Sequence, residues 1–197
     1  MNAIFDRPVF STPTYSVAQL SPQPAELFME HTHIACSHHD HNHCISDALG
    51  AARELCQSRG VRLTDLRLQV LELIWQNHKP LGAYTLMEML AKANTRRVAP
   101  PTVYRALDFL LEQGLIHRIN VLNAFIGCPA PDTKHQSHFL ICHACGIAIE
   151  LDQPALSQQI ISVAQDAGFV VESQSLEVSG LCANCATHPQ HGEHHHE

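Results

Sequence analysis

Two Cys-x-x-Cys pairs, Cys142 with Cys145 and Cys182 with Cys185, are the residues of this chain best suited to chemistry. A two-residue spacing places both sulfurs on one side of a turn, and two such turns supply four thiolates for a closed, tetrahedral, structural Zn2+. The 36 residues between the pairs exceed a compact knuckle. They hold a predicted helix and strand, so the metal would staple the ends of one domain and lend its folding about 10–16 kcal/mol of apparent binding energy. A second set is dispersed: His117, Cys128, His135 and Glu150, with His138 close by. One thiolate among nitrogen and oxygen donors favours Zn2+ over Fe2+. These four lie on a predicted wing, a hinge and the first strands of an acidic domain, where metal would fix one domain against the other. No general acid/base pair accompanies them, so no enzyme is expected.

The elements that must position these residues begin with the stretch from Pro100 to Arg118. Val103, Leu107, Leu110 and Leu111 fall at i, i+4, i+7 and i+8, one apolar helical stripe, and Gly114 suits a left-handed cap. Thr102, Tyr104 and Arg105 lie off the stripe near the helix start, where a recognition helix meets the major groove. Three helices are expected ahead of it. The first spans about 47–59, capped by Ser46, with Leu49, Ala52 and Cys56 inward. A second is capped by Thr64, with Leu66, Val70, Leu73 and Ile74 inward, and a third spans about 83–93, with Leu86, Met89 and Leu90 inward. Strands over about 115–120 and 124–128, turning at Leu122-Asn123, complete a winged helix-turn-helix.

Beyond Cys128, the linker Pro129–Asp132 leads to strands His138–Cys142 and Gly146–Leu151. A helix capped by Asp152 is expected next, with Leu156, Ile160, Val163 and Ala164 inward, then a strand Phe169–Val178. The fold class is therefore α+β, an N-terminal winged helix-turn-helix followed by a small α/β domain with a structural zinc. The predicted divisions are a disordered, His-rich extension over 1–46, a DNA-binding domain over 47–128, a zinc-binding domain over 129–187 and a His-rich tail over 188–197.

The charge distribution agrees. The 197 residues carry a formal net charge of -7, but residues 47–120 alone carry +3, so the basic charge concentrates around the candidate helix. Eight Cys and 16 His favour metal. The sequence shows neither a signal peptide nor an apolar stretch near the ~18 residues of a membrane span, so a cytoplasmic protein without a membrane partner is expected. In that reducing compartment paired Cys mean metal more often than disulfide. The crowded His and Cys residues between His31 and Cys44 read as a polar tail able to sequester metal.

The run Pro101-Thr102-Val103-Tyr104-Arg105-Ala106-Leu107 with the two Cys pairs resembles the ferric uptake regulator family of bacterial metalloregulators over about residues 47–187. Val61-Arg62-Leu63-Thr64, His117 and the segment Phe139–Gly146 look most like its zinc uptake regulator branch. The resemblance makes the zinc-binding domain over 129–187 the dimerisation domain, and it implies a zinc-loaded homodimer that binds a palindromic, AT-rich operator and represses zinc-uptake genes. It implies two zinc sites per subunit, a structural one at Cys142, Cys145, Cys182 and Cys185 and a regulatory one at His117, Cys128, His135 and Glu150. It places Tyr84 and Arg105 at bases and gives Thr102 and Tyr104 backbone or packing roles. Arg62, Arg67 and Arg96 suit phosphates. Alternatives are a sensor of iron, nickel or peroxide with the same fold, or a zinc-storage protein using its His-rich ends. Asp65 and Leu66 depart from the family's usual Pro-Gln after Thr64, and the His38–His41 run lies in the tail rather than before Cys142.

Overall fold

A computed structural model describes residues 32–33, 41–77, 79–94, 98–133, 137–151 and 153–187, with the backbone alone at 32, 33, 41 and 42. The elements run β1 (Thr32–His33), α1 (His41–Ser58), α2 (Asp65–Trp75), β2 (Leu81–Gly82), α3 (Ala83–Ala93), α4 (Pro100–Glu112), β3 (Ile116–Ile119) and β4 (Ala124–Gly127), then β5 (His138–Cys142), β6 (Ala148–Leu151), α5 (Pro154–Asp166), β7 (Leu176–Gly180) and α6 (Ala183–Thr187).

Four helices and a three-stranded sheet of order β2-β4-β3 form the first part. The stripes read from the sequence converge in its core: Leu49, Ala52 and Cys56 of α1, Val70 and Ile74 of α2, Leu86 and Leu90 of α3, Val103, Leu107 and Leu110 of α4 are buried together. Truncating one such side chain, Leu110 to Ala, costs about 2–5 kcal/mol because the cavity cannot fully collapse. Pro100 and Pro101 occupy the first turn of α4, where the missing N–H is no loss. The helix ends in a Schellman turn, with Gly114 at φ 68 and the Leu115 N–H donating to the Leu110 carbonyl at 2.9 Å. Glycine has no Cβ to strain at that φ.

The second part is a four-stranded sheet of order β1-β6-β5-β7. β1, β6 and β5 pair antiparallel, while β7 lies parallel to β5, a pairing that requires the crossover through α5. Between the two sheets sits a small apolar seam: Ile119 of β3 and Ile126 of β4 pack with Phe139, Ile141 and Ala148 of β5 and β6. Alternation along β5 sends Phe139 and Ile141 to this seam, and His138 to the opposite face, where its Nε2 lies 2.8 Å from Ser157 Oγ of α5.

Several expectations are corrected. α1 begins at His41 rather than residue 47, so Ser46 lies inside the helix and does not cap it, and the first 46 residues are not uniformly without structure. β1 likewise falls within that stretch. Thr64 stands at the N-cap of α2, but its hydroxyl makes no capping bond. The expected strand over Phe169–Val178 is instead β7, beginning at Leu176 and continuing to Gly180. Val163 of α5 does not face inward: it is 70% exposed. β2 and α6, too short to carry a period, had no sequence signal. The Asp152 cap, Arg96, His135, the His38–His41 run and the tail over 188–197 lie outside the described residues.

Candidate metal centres and nucleic-acid face

β5 delivers Cys142 at its last residue, and a tight turn follows in which the Gly146 N–H donates to the Cys142 carbonyl at 2.8 Å. Gly146 holds φ 74, a conformation that lets the chain reverse within four residues and brings Cys145 back beside Cys142. β7, parallel to β5, delivers the second pair from the adjacent strand: the His143 N–H donates to the Gly180 carbonyl at 3.0 Å, and Cys182 and Cys185 flank the start of α6. All four Sγ atoms lie within 4.8 Å of one another. Cys145 and Cys182 sulfurs are 3.8 Å apart. A tetrahedral ion with Zn–S bonds of about 2.3 Å requires sulfurs about 3.8 Å apart, so the donor set fits zinc.

The protonation pattern agrees with a cation site. Backbone N–H groups of Cys182 and Cys145 pull the Cys142 thiol down to about 6. Hydrogen bonding with Cys182, then burial and the other two sulfurs, push Cys185 up to about 12. Four thiols left to themselves share their charge poorly, and a bound cation is what allows all of them to ionise.

The dispersed set converges at the seam. His117 of β3 and Glu150 of β6 meet with Nε2 and Oε1 at 3.3 Å. The Phe139 ring lies against the imidazole, centroids 5.7 Å apart, and Ser137 Oγ is 3.2 Å from His117 Nε2. Cys128 follows β4 and is buried beside the same acid. Burial pushes its thiol up to about 12, and the charges of Glu150 and Asp132 push the same way against a hydrogen bond from the Ala130 backbone. Two of the four residues expected to bind regulatory metal, His117 and Glu150, thus touch across the seam, and Cys128 lies close enough to feel the charge of Glu150. His135 lies outside the described residues, and His138 faces away toward Ser157. One feature escaped the sequence: the antiparallel register sets position 33 of β1 directly across from Glu150.

Thr102, Tyr104 and Arg105 are exposed along the first turns of α4. Tyr84, at the second position of α3, is 78% exposed. Tyr84 and Tyr104, but not Thr102 or Arg105, border one groove with the wing, lined by Tyr84, Thr85, Tyr104, Asp108, Arg118 and Asn123. Asn123 turns the wing with φ 46 and accepts a hydrogen bond from Arg118 at 2.8 Å. Arg67 is placed differently from the others: its guanidinium lies 3.6 Å over the Phe109 ring and donates to the Arg62 carbonyl. That geometry braces α2 against α4.

A model of the ferric uptake regulator family matches residues 58–179. The zinc uptake regulation protein of Escherichia coli (strain K12) is 36% identical over 156 residues, covering 76% of this chain and 91% of that protein. The structure of a zinc uptake regulator complexed with zinc and DNA superposes with a TM-score of 0.69 at 37% identity, over 73% of this chain and 95% of that one. Holo XcZur superposes with a TM-score of 0.66 at 42% identity, over 72% and 98%.

Proposed function

The chain belongs to the ferric uptake regulator family, and from that premise we propose that it is a zinc-responsive transcriptional repressor. As a zinc-loaded homodimer it binds operator DNA and shuts off zinc-uptake genes, acting in the cytoplasm and not as an enzyme. The observation that carries this reading is the His117–Glu150 contact at 3.3 Å, made across the seam with Cys128 alongside.

In this reading Cys142, Cys145, Cys182 and Cys185 hold a structural zinc, and His117, Cys128, His135 and Glu150 hold a regulatory one. Zinc would supply positive charge to the four thiolates at the first place and to the mixed carboxylate, thiolate and imidazole donors at the second. The chain's own contribution is to take the second donor set from two sides: His117 moves with the wing, Glu150 with the four-stranded sheet. Any ligand that favours the pose joining them also favours DNA if that pose presents α4 correctly, and the linkage is reciprocal. A coupling of about 1–3 kcal/mol corresponds to a 5- to 150-fold change in operator affinity. The thiol of Cys128 favours zinc over iron as the effector.

α4 enters the major groove, with Arg105 reading a guanine edge and Tyr84 contacting a base at the rim of the groove. Thr102 and Tyr104 position the backbone. Arg67 acts as a brace through Phe109 rather than as a free phosphate ligand. The DNA-binding part spans about 41–128 and the dimerisation part about 129–187. The second copy covers apolar residues that one chain leaves bare, among them Phe169 at 73% and Val170 at 88% exposure. No helix among the described residues is long and apolar enough to cross a membrane.

The test uses duplex DNA selected from a random pool by the zinc-loaded full chain. Its affinity is measured against buffered free zinc and, separately, ferrous iron, for the wild type and Cys128→Ser. Zinc-dependent binding that Cys128→Ser loses supports the repressor. Activation by iron at lower free concentration would replace it with another sensor, and metal uptake without DNA binding would leave a storage protein.

A further inference from the structure

A row of paired residues crosses the four-stranded sheet toward the wing. Glu150 of β6 pairs with Phe139 of β5, which pairs with Glu177 of β7. Directly paired residues share a sheet face, so the three stand side by side. At one end Glu150 meets His117. At the other, Glu177 grips the start of the wing turn through both carboxylate oxygens. Its Oε1 accepts from the Asn120 backbone N–H at 2.7 Å and from Asn120 Nδ2 at 3.1 Å. Its Oε2 accepts from the Val121 N–H at 2.9 Å. The two partners are 56 and 57 residues away in sequence, and the Ile119–Phe139 cluster fills the space behind them.

We propose that Glu177 is a positioning residue, a second latch that needs no metal and that holds the wing in its DNA-competent pose by chelating the Asn120 and Val121 amides. This rests on the repressor reading above. A carboxylate taking two adjacent backbone N–H groups fixes the direction of that backbone, which a contact to a flexible side chain does not. Beside the apolar seam at Ile119, the wing then has two polar supports at β3. His117 lies mid-strand and answers to zinc, whereas Asn120 lies just past the strand end and is held by Glu177. Glu177 thereby sets how much of the pose is already populated before zinc arrives, and so the zinc concentration at which the protein switches.

Two supports in parallel give a signature that a direct DNA contact does not. Removing Glu177 should matter most when the metal latch is unfilled and least when zinc holds the pose by itself. The experiment compares full-length wild type, Glu177→Gln and Glu177→Ala, each with its four-Cys zinc content verified. Operator affinity is measured at limiting and at saturating buffered zinc, and amide hydrogen exchange of Asn120 and Val121 is followed without DNA. The expected result for Glu177→Ala is faster exchange at both amides and a loss of roughly tenfold in affinity at limiting zinc, about the worth of one or two net hydrogen bonds, shrinking toward wild type at saturation. Glu177→Gln, which can still accept but presents an N–H to Val121, should fall between. Asn120→Ala, which keeps both backbone bonds, should lose less than either and add nothing to Glu177→Ala.

An equal deficit at both zinc levels would overturn the latch, as would exchange and affinity unchanged in Glu177→Ala. Should the wild type bind no DNA in response to zinc, the repressor reading fails, while the two amides still report whether Glu177 holds the wing.

Discussion

Gly127 sits one residue before the candidate sensor thiol and against the indole of Trp75. A Cβ at position 127 would stand 2.4 Å from Trp75 Cε2, 2.6 Å from Nε1 and 2.9 Å from Cδ2. Favourable carbon contacts begin near ~3.5 Å, so Gly127→Ala creates an overlap of about 1 Å with a rigid ring. Trp75 packs against the buried core of the helical part and cannot simply swing away. Either the indole repacks or β4 shifts, and a shift of β4 carries Cys128 with it. Overpacking of this kind costs about 1–3 kcal/mol. For a chain of this size each kcal/mol moves the melting temperature by roughly 2–4 °C, so a fall of about 2–12 °C is expected. Trp75 is the chain's only tryptophan, which makes its fluorescence a direct probe of the contact. Gly127→Ala should shift the emission, lower the melting temperature and weaken zinc binding at the seam while the four-Cys zinc is retained. Adding Trp75→Phe, whose smaller single ring can reorient away from position 127, should return part of the lost stability. An unchanged melting temperature together with unchanged emission would refute the steric reasoning.

His117→Ala and Cys128→Ser should each remove about one equivalent of zinc per subunit and lower operator affinity at saturating zinc by roughly 5- to 150-fold, read by equilibrium binding, and the two effects should not add. Cys182→Ser should release the structural metal to a chromogenic chelator. Hydrogen exchange should then accelerate across β7 and α6 while the buried helix α4 stays protected, because the lost binding energy of about 10 kcal/mol or more served only the second part. Arg105→Ala should weaken operator binding by about 1–3 kcal/mol and relax discrimination at one base pair, measured with single-position DNA variants. Burial raises the Cys56 thiol and leaves it 1% exposed, so less thiolate forms at neutral pH and a thiol reagent should label Cys56 far more slowly than it labels the four-Cys group after chelation.

The helical part was legible because its information is local. Leu49, Ala52 and Cys56, or Val103, Leu107 and Leu110, repeat with the helical period, and a stripe of that kind announces both the helix and the face it buries. Gly114 signalled its left-handed cap for a similar reason. Where the signal was weak or shared between elements, the sequence misled. Ser46 is a good capping residue, yet α1 continues back to His41, and Val163 completes an apolar stripe that one chain alone leaves uncovered.

The four-Cys group was determined by the sequence itself, since a two-residue spacing already forces each pair of sulfurs together and leaves only the meeting of the two pairs to the fold. The seam was decided by tertiary structure. His117, Cys128 and Glu150 carry no spacing that singles them out, and Glu177 gave no signal at all. What unites them is strand register: β5 pairs with β6 on one side and β7 on the other, which lines up Glu150, Phe139 and Glu177 opposite a wing folded from a different stretch of chain. Local spacing fixes neighbours within a turn, whereas contacts between residues 56 apart depend on which edges of two sheets come to face each other.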